Sequence, residues 1–250
     1  GAPSPHVKGR VAGASGGASG GTIASAMEML EEAARDTEVG RILTDPYALN
    51  PAGQRTGPEQ RDQNLPIYDE DFEQWTAPFF MAGVNTRVVR RTGALLGSLY
   101  GEDFRYDEST LTGDGPLGAA RAAATSFGTG LAMGAMALSP VRRLLGPRLP
   151  QPGEGPSARQ REEGYWDLRF WAAPPRGVSA PPVRARVTGD RDPGYGSTSK
   201  MLAESALCLA TDELPSRAGF LTPASAMGDA LIPRLEAHAG VGLEILPDEV

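Results

Sequence analysis

The chain has 250 residues, of which 40% are hydrophobic, together with 32 glycines and 22 prolines. That hydrophobic fraction is enough for a packed interior, so we expect one globular domain over residues 1–250 with long loops, and not a disordered chain. A formal net charge of -7 gives no attraction to phosphate polyanions, which excludes nucleic acid as an expected partner.

Cysteine and histidine usage limits metal and redox chemistry. One cysteine, Cys208, cannot form an internal disulfide, which fits a reducing, cytoplasmic compartment, and its leucine neighbours predict a buried thiol. The two histidines, His6 and His238, fall short of any Cys/His zinc pattern, and the carboxylates show no calcium-loop spacing. We therefore predict no metal site.

The first elements surround a glycine-rich stretch. A strand is predicted at 7–12. The stretch GASGGASGGT then leads into apolar residues at helical spacing, which predicts a helix with Thr22 as its N-cap that ends near Asp36. Residues 37–74 are rich in Pro, Gly, Asp, Asn and Gln and predict an irregular surface excursion, a kind of loop that carries function or is disordered.

The middle of the chain is predicted to be mostly helical. A helix is indicated at 85–100 and a strand at 104–111. Residues 117–139 are mostly Ala, Gly, Leu and Met and reach the length of a membrane span. Because Ala and Gly contribute little transfer free energy, a buried or interface helix is favoured there over contact with a lipid surface. The five prolines of 140–158 predict a linker or long loop.

The next two elements alternate in the manner of a half-buried sheet. Residues 163–172 and 182–188 show period-two alternation, which predicts two antiparallel strands with one solvated face. Trp166, Leu168 and Phe170 are expected on one face.

Two helices are predicted after these strands. The first covers 195–210 and is amphipathic. The second begins with Thr222 as N-cap and Pro223 as its first helical residue, and runs toward His238. Pro233 is expected to bend or break it, because proline removes a backbone donor.

The glycine-rich stretch does not match a phosphate loop. Its glycines fall at 13, 16, 17, 20 and 21, so the G-x-G-x-x-G fingerprint is absent, and no Gly-Lys-Ser/Thr ending follows. A glycine-rich turn before a capped helix can still offer free N–H groups to an anion or carbonyl, or it can be purely structural. The stretch also matches the nucleophile elbow G-x-S-x-G around Ser15 and Ser19, with His238 downstream, which leaves a serine hydrolase as a minor alternative.

Two other pairs of side chains were considered as candidate functional residues. Tyr195 and Lys200 are five positions apart, whereas the Tyr-x-x-x-Lys pair of short-chain dehydrogenases needs four, so helical rotation separates them. Arg87 and Arg91 share one face of a helix that starts at Asn85. Such arginines either bind a carboxylate or phosphate ligand or form salt bridges on a solvated face.

Three segments together resemble one protein family. They are SGGT at Ser19 to Thr22, NTRVVRRTGALL at Asn85 to Leu96, and the C-terminal pair GDRDPGYGSTSKMLAESALCLA and LTPASAMGDAL. The chain thereby resembles the C-terminal part of the saccharopine dehydrogenase-like oxidoreductases, in particular the mycobacterial-type trans-acting enoyl reductases. The resemblance implies an α+β fold, a mainly antiparallel sheet with helices packed on it, that binds substrate and mediates homodimer contacts.

The resemblance also implies what a complete family member does. Such proteins begin with a Rossmann domain that binds NADP or NAD, and they reduce an unsaturated acyl or imine substrate, the trans-acting enoyl reductases doing so in lipid polyketide synthesis. The present sequence lacks that domain, so no complete cofactor site and no activity are expected of this chain alone.

The expected substrate contacts follow from the matching segments, and no catalytic residue is assigned. These contacts are Ser19, Gly20, Gly21, Thr22, Asn85, Arg87, Tyr195, Thr198 and Ser199. The alternative hypothesis is a non-catalytic partner protein that uses residues 117–139 for lipid or protein contact.

Overall fold

The computed structural model describes residues 3–17, 19–97, 99–137, 139–145 and 149–247. Its strands are β1 (His6–Ser15), β2 (Ile67–Asp69), β3 (Gln74–Pro78), β4 (Arg105–Gly113), β5 (Tyr165–Ala172), β6 (Val183–Gly189) and β7 (Val241–Leu246). Its α-helices are α1 (Gly20–Arg35), α2 (Thr37–Thr44), α3 (Ala82–Leu95), α4 (Gly115–Ala137), α5 (Ser139–Leu145), α6 (Ala158–Glu163), α7 (Gly196–Thr211), α8 (Pro223–Met227) and α9 (Leu231–His238).

The described strands form one seven-stranded sheet, in the order β2-β3-β4-β1-β5-β6-β7. β1 runs parallel to β4, and the other neighbouring pairs of this sheet are antiparallel. The expected α+β fold with a mainly antiparallel sheet is therefore confirmed. The pairing of β5 with β6 also follows the predicted alternation, with Trp166 opposite Gly189 and Ala172 opposite Val183.

The start of α1 differs from the prediction. Its N-cap is Ser19 and not Thr22, because Ser19 has an extended backbone (φ -84, ψ 131) and its side chain accepts a hydrogen bond from the Thr22 amide. The helix therefore begins at Gly20, inside the glycine-rich stretch. A cap two or three residues earlier than expected is the ordinary error where several small residues can each serve as N-cap.

The C-terminal helices confirm one prediction and correct another. Thr222 caps α8 by accepting a hydrogen bond from the Ser225 amide, and Pro223 is the first helical residue, as predicted. The helix breaks at Gly228, whose φ is 53, and not at Pro233. Pro233 is the third residue of α9, a position whose N–H has no partner within the helix, so proline loses no hydrogen bond there.

The segments expected to be loops contain short regular elements. Within 37–74 lie α2, capped by the Asp36 side chain, and β2. Within 140–158 lie most of α5 and the first residue of α6, while 146–148 fall outside the described residues. The helix expected at 117–139 corresponds to α4 up to Ala137, residue 138 is outside the described residues, and Ser139 is the first residue of α5.

Successive residues of the central strands point to opposite sides of the sheet, and one side is charged. This ionic face is formed by Lys8, Arg10, Asp107, Arg169 and Arg186, which are cross-strand neighbours in the register. Polar residues at alternating strand positions are usually solvated, but here the segment after β2 lies over part of this face.

A buried ion network holds that segment in place. Arg10, 4% exposed, contacts Asp69 at 2.7 Å and Asp107 at 2.6 Å between nitrogen and oxygen. Lys8 contacts Asp69 at 2.9 Å and also pairs with Asp71. Because a buried charge is strongly destabilising without a partner, the two cations of β1 require these carboxylates.

The other side of the sheet is largely hydrophobic. This apolar face is formed by Gly9, Tyr106, Leu168, Phe170 and Val187. A Cβ atom at Gly9 would lie 2.8 Å from the Tyr106 hydroxyl and 3.4 Å from the Phe170 ring. Glycine in the middle of β1 thus leaves the space into which the Tyr106 side chain extends.

Side chains complete one edge of β4. β3 pairs with β4 only from Ser109 to Gly113. Nearer the start of β4, the Tyr106 amide donates to Gln60 Oε1 at 2.8 Å, and the Tyr106 carbonyl accepts from Arg90 Nη2 at 3.0 Å. These bonds replace the missing strand partner, so α3, which carries Arg90, lies against the edge of the sheet.

The buried network predicts a fall in stability in acid. Burial opposes ionisation of Asp69, yet the hydrogen bond from Lys8 and the charge of Arg10 lower its pKa below the ordinary 3.8. The same balance, with His6 and Arg10 as partners, lowers the pKa of Asp107. The stabilisation is complete above the unfolded-state pKa of about 4 and is lost as the pH falls through the lower folded-state pKa.

We therefore expect the free energy of unfolding, from urea denaturation, to decrease between about pH 5 and pH 2. Asp69→Asn should cost roughly 3 kcal/mol at pH 7, because it leaves the buried Arg10 and the half-buried Lys8 short of a partner, and should make the pH dependence shallower. Glu59→Gln is the control, since its partner Arg61 is exposed, and should change stability by less than about 0.5 kcal/mol. Parallel pH curves for Asp69→Asn and the unaltered chain would contradict this role of the network.

Candidate functional site

Two helix N-termini meet where the first group of site residues was predicted. Ser19 is the N-cap of α1 and Tyr195 is the N-cap of α7. Their hydroxyl oxygens lie 2.8 Å apart on the exposed surface, and the Thr22 amide donates to Ser19 Oγ at 3.3 Å. The structure therefore joins the first and the last segments that carry the family resemblance.

At this joint, where the N-termini of α1 and α7 meet, the space beside the glycines is occupied by another part of the chain. A Cβ atom at Gly20 would lie 1.8 Å from the Gln151 carbonyl oxygen, and one at Gly17 would lie 2.8 Å from the Pro156 side chain. The Gly20 amide donates to the Glu154 carbonyl at 3.0 Å. The space that glycine provides is thus occupied by residues 151–156, and a dinucleotide phosphate does not fit here.

A buried carboxylate occupies the N-terminus of α7. Asp192 is fully buried, and its oxygens accept hydrogen bonds from the amides of Gly194, Tyr195 and Gly196 at 3.0, 3.0 and 2.6 Å. These are the free N–H groups and the positive end of the helix dipole that would otherwise attract an anion. The GDRDPGYG segment therefore has a structural role in which its own aspartate takes the place of a ligand.

The remaining hydroxyls predicted near this joint also have local partners. Thr198 Oγ1 donates to the Pro193 carbonyl at 2.7 Å, and Ser199 Oγ donates to the Gly196 carbonyl at 3.3 Å. Neither described contact of Ser19 Oγ is a histidine. Ser19 thus has no described histidine partner, and the serine hydrolase hypothesis at Ser15 or Ser19 stays a prediction.

The arginines of α3 are held by other parts of the chain. Arg87 is 6% exposed and its Nη1 lies 2.5 Å from Asp62 Oδ2. Arg91 donates to the carbonyl oxygens of Leu49 and Phe220. Arg87 forms a salt bridge, as one of the two alternatives had it, but its side chain is buried and does not lie on a solvated face. Its contact with a substrate stays a prediction.

Asn85 belongs to a polar cluster with Tyr106 and Glu108, which the sequence did not predict. Glu108 accepts a hydrogen bond from Asn85 Nδ2 at 2.9 Å on Oε2 and from Tyr106 Oη at 2.7 Å on Oε1. Burial, together with the charge of Asp107, raises the pKa of Glu108 above the ordinary 4.5, against the opposing effect of the two donors. The strand was predicted at 104–111, and the two-residue spacing of Tyr106 and Glu108 within it is the signal that could have placed both side chains on one side of the sheet.

This cluster lies on the apolar face. Glu108 is the cross-strand partner of Gly9, and a Cβ atom at Gly9 would lie 3.2 Å from Glu108 Cγ. At the start of α3, beside Asn85, Val84 is 47% exposed, and Phe80 just before the helix is 71% exposed. The carboxyl group of Glu108 therefore lies next to exposed apolar side chains.

Clusters of metal-ligating side chains and helices of membrane-spanning type are both absent from the residues that the structure describes. Those residues contain no group of three or more His, Cys, Asp and Glu side chains that could hold a metal ion. Of the helices the structure describes, none combines the length and the hydropathy needed to cross a bilayer. Cys208 is fully buried, as predicted, so it does not offer a reactive thiol.

Comparison with known proteins yields a clear sequence relationship. The chain is 42% identical over 240 residues to a protein of Mycobacterium tuberculosis provisionally named trans-acting enoyl reductase, covering 89% of this chain and 55% of that one. It is 38% identical over 232 residues to the trans-acting enoyl reductase of Mycobacterium bovis, with coverage of 88% and 54%. For the Mycobacterium ulcerans enzyme of the same name, the identity is 35% over 228 residues, with coverage of 86% and 53%.

The match covers only part of each relative. The chain spans about half the length of the curated relatives it matches. No family model matches the chain, and no solved structure is significantly similar to it. The resemblance to the trans-acting enoyl reductases is confirmed, whereas that to the saccharopine dehydrogenases is not.

Adjacent glycines of α1 provide a test of the packed joint. Gly20→Ala should destabilise the chain by roughly 2 kcal/mol, because the added methyl overlaps the Gln151 backbone. Gly21→Ala is the matched control: its nearest atom is Ser19 Oγ at 3.5 Å, so it should be neutral or stabilising by up to about 1 kcal/mol. Urea denaturation measures both, and equal stability of the two variants would show that residues 151–156 do not pack here.

Proposed function

This chain is a relative of the trans-acting enoyl reductases, and from that premise we propose that it forms the substrate-holding part of an NAD(P)-dependent enoyl reductase of lipid and polyketide metabolism. The cofactor in this proposal is bound by a Rossmann domain outside the chain, and the chain alone is inactive. The observation that carries the proposal is the 42% identity over 89% of the chain.

The glycine-rich stretch supports the proposal that the cofactor is bound outside this chain. A dinucleotide site needs a glycine loop whose backbone can approach the pyrophosphate at a helix N-terminus. In this chain the Gly20 position is packed against Gln151, and the N-terminus of α7 is occupied by Asp192. The starts of α1 and α7 are thus occupied by other parts of the chain, which fits a protein whose cofactor is bound elsewhere.

The apolar face supports a role in holding an acyl substrate. Transfer of hydrocarbon from water to an apolar surface contributes about 0.8 kcal/mol for each buried CH₂ group. Leu168, Phe170 and Val187 lie on this face and are only partly covered by the chain. The acyl chain of the substrate would lie along them, with its carbonyl end toward the polar cluster at Glu108.

A homodimer is the second part of the proposal, and β7 is the surface that we assign to it. β7 forms one end of the described sheet, and its Leu243 and Ile245 are 42% and 63% exposed. Two copies related by a twofold axis could pair their β7 strands antiparallel, which would cover both residues.

A second candidate function rests on α4. Its side chains Leu117, Phe127 and Leu131 are 61%, 66% and 76% exposed. Exposed apolar side chains on one helix are what we would expect of a non-catalytic partner protein that contacts lipid or protein through that helix. The two functions differ in what they require of the cofactor, because the partner protein needs none.

Calorimetric titration of NADPH separates these functions. We expect no binding to this chain alone and binding to the full-length Mycobacterium tuberculosis relative, with a Kd within the usual range of about 1 μM to 1 mM for enzyme ligands. Binding of NADPH by this chain would contradict the proposal that the cofactor is bound only by a domain outside it. Absence of binding to the longer relative would contradict the cofactor assignment and favour the partner protein.

Sedimentation velocity tests the dimer. We expect the unaltered chain to sediment as a dimer at micromolar concentration and Ile245→Lys to sediment as a monomer, because the new charge would be buried in the contact. Glu244→Lys, a change of the adjacent exposed residue on the opposite side of β7, should leave the dimer intact. A monomeric unaltered chain would refute the assignment.

A further inference from the structure

A cavity of about 570 Å³ lies between α3 and the excursion at 37–74. Its described lining comes from three stretches of the chain, within 47–58, 90–97 and 100–104. The first stretch belongs to the segment whose composition predicted a loop that carries function or is disordered. The volume is in the range of cavities that hold a small organic molecule, which the polar groups of the lining would select.

Arg90 differs from the other buried arginines of the described chain. Arg10 contacts Asp69 at 2.7 Å, and Arg87 contacts Asp62 at 2.5 Å, between nitrogen and oxygen. Arg90 is 5% exposed, yet it forms no ion pair with a carboxylate among the residues that the structure describes. A buried charge without a partner is strongly destabilising. Since Arg90 lines the cavity, an anion bound there would supply this partner.

The Arg90 guanidinium is held in place by neutral acceptors. Nη1 donates to the Pro46 carbonyl at 3.2 Å and to the Thr86 hydroxyl at 3.3 Å, and Nη2 donates to the Tyr106 carbonyl at 3.0 Å. The buried Nε N–H has no acceptor in the described part of the chain. Burial lowers the pKa of Arg90 and the charge of Arg87 lowers it further, an effect that anionic groups nearby offset only in part. The cation is thus fixed, with its charge uncompensated and one donor unused.

A second buried polar group of the same cavity also lacks a partner. Asn50 is 6% exposed, and its Nδ2 donates to the Gln54 carbonyl at 2.9 Å, which sets the orientation of the amide. Its Oδ1 is buried and accepts no hydrogen bond from the described residues. Most buried side-chain polar atoms have a partner. Because Asn50 and Arg90 both line the cavity, one molecule could supply a donor to the first and an acceptor to the second.

Aromatic side chains form much of the remaining wall. The Tyr47 ring centroid lies 5.8 Å from the Arg90 guanidinium carbon, and the rings of Tyr100 and Phe104 pack with their centroids 4.8 Å apart. These rings can pack against the apolar part of a ligand. Glu102 is the one acidic residue in the described lining, but it is exposed and forms no ion pair with Arg90 in the structure.

We propose that this cavity binds a small organic carboxylate, which pairs with Arg90, donates a hydrogen bond to Asn50 Oδ1 and packs its apolar part against the aromatic wall. The planar guanidinium matches the geometry of a carboxylate, and the bond between them is charge-assisted. The ligand also carries a hydroxyl or amino group, because Asn50 Oδ1 can only accept. This site goes beyond the proposed function and does not depend on it.

Calorimetric titration of the unaltered chain with three related probes tests the chemistry of the ligand. Mandelate has a carboxylate, a hydroxyl donor and a phenyl ring, phenylacetate lacks the hydroxyl, and mandelamide has a neutral amide in place of the carboxylate. We expect mandelate to bind, phenylacetate to bind about fivefold more weakly, and mandelamide to bind at least about tenfold more weakly. The second loss is larger because a hydrogen bond between charged groups contributes more than one to a neutral group.

Variants of the lining test the position of the site. Ala94→Leu adds bulk to the α3 wall without changing a polar group, and should weaken mandelate binding at least about tenfold. Ala26→Leu is the matched control, since it is exposed in the middle of α1 and outside the lining, and should bind as the unaltered chain does. Arg90→Gln should give mandelate and mandelamide equal affinities. Urea denaturation verifies that each variant is folded, and Ala94→Leu keeps the test valid where Arg90→Gln is not.

Three results would overturn the proposal. Equal affinities of mandelate and mandelamide for the unaltered chain would show that no anion pairs with Arg90. Unchanged mandelate binding by folded Ala94→Leu would place the probe outside this cavity. Absence of binding by all three probes at about 10 mM would show that the cavity is not a site for an organic carboxylate.

Discussion

The architecture depends on the pairing of two cations on the central strand, of which Arg10 is buried and Lys8 is half-buried. Arg10 and Lys8 of β1 lie on the ionic face and are bonded to carboxylates from elsewhere in the chain, Asp107 from β4 and Asp69 from the end of β2. Unpaired, each charge would destabilise the fold by several kcal/mol, so β4 must adjoin β1 and the segment after β2 must cover this face. A shift of β1 by one residue would move both cations to the apolar face, so the network also fixes the register.

The separation of charge between the two faces leaves one face of the sheet mostly apolar. Since the ion network is on one side of the sheet, the other side is left to Phe170, Leu168 and the Tyr106 ring. Glu108 is the exception, and its polar partners come from β4 itself and from α3. α3 is in position because Arg90 completes the edge of β4 where β3 ends. The edge protection and the cluster on the apolar face therefore depend on the same helix.

The sequence predicted those parts of the fold that are set by local patterns. Alternation identified β5 and β6, and the Thr222 cap with Pro223 identified α8. β2 has three residues and β3 has five, too few for a periodic signal, and both depend on pairing with each other and with β4.

The site was harder to predict, because its contacts join residues far apart in sequence. Asn85 was selected on resemblance, but its partner Glu108 is in another element, 23 positions away. Arg87 on a helix face gave no indication that Asp62 neutralises it. The SGGT and GDRDPGYG segments were expected to contact substrate, which stays a prediction, and nothing in their composition indicated that other parts of the chain would occupy the space beside Gly20 and the N-terminus of α7.

The central place of β1 has a consequence for the order of folding. β1 is the first strand of the chain, but its two neighbours, β4 and β5, begin at Arg105 and Tyr165. During synthesis its backbone donors and acceptors stay unpaired until both neighbours have emerged, and a strand with two free edges is prone to associate with other chains. The charges of Lys8 and Arg10 oppose such association until β4 and β5 have been synthesised. The same two side chains thus protect the nascent chain before they organise the finished one.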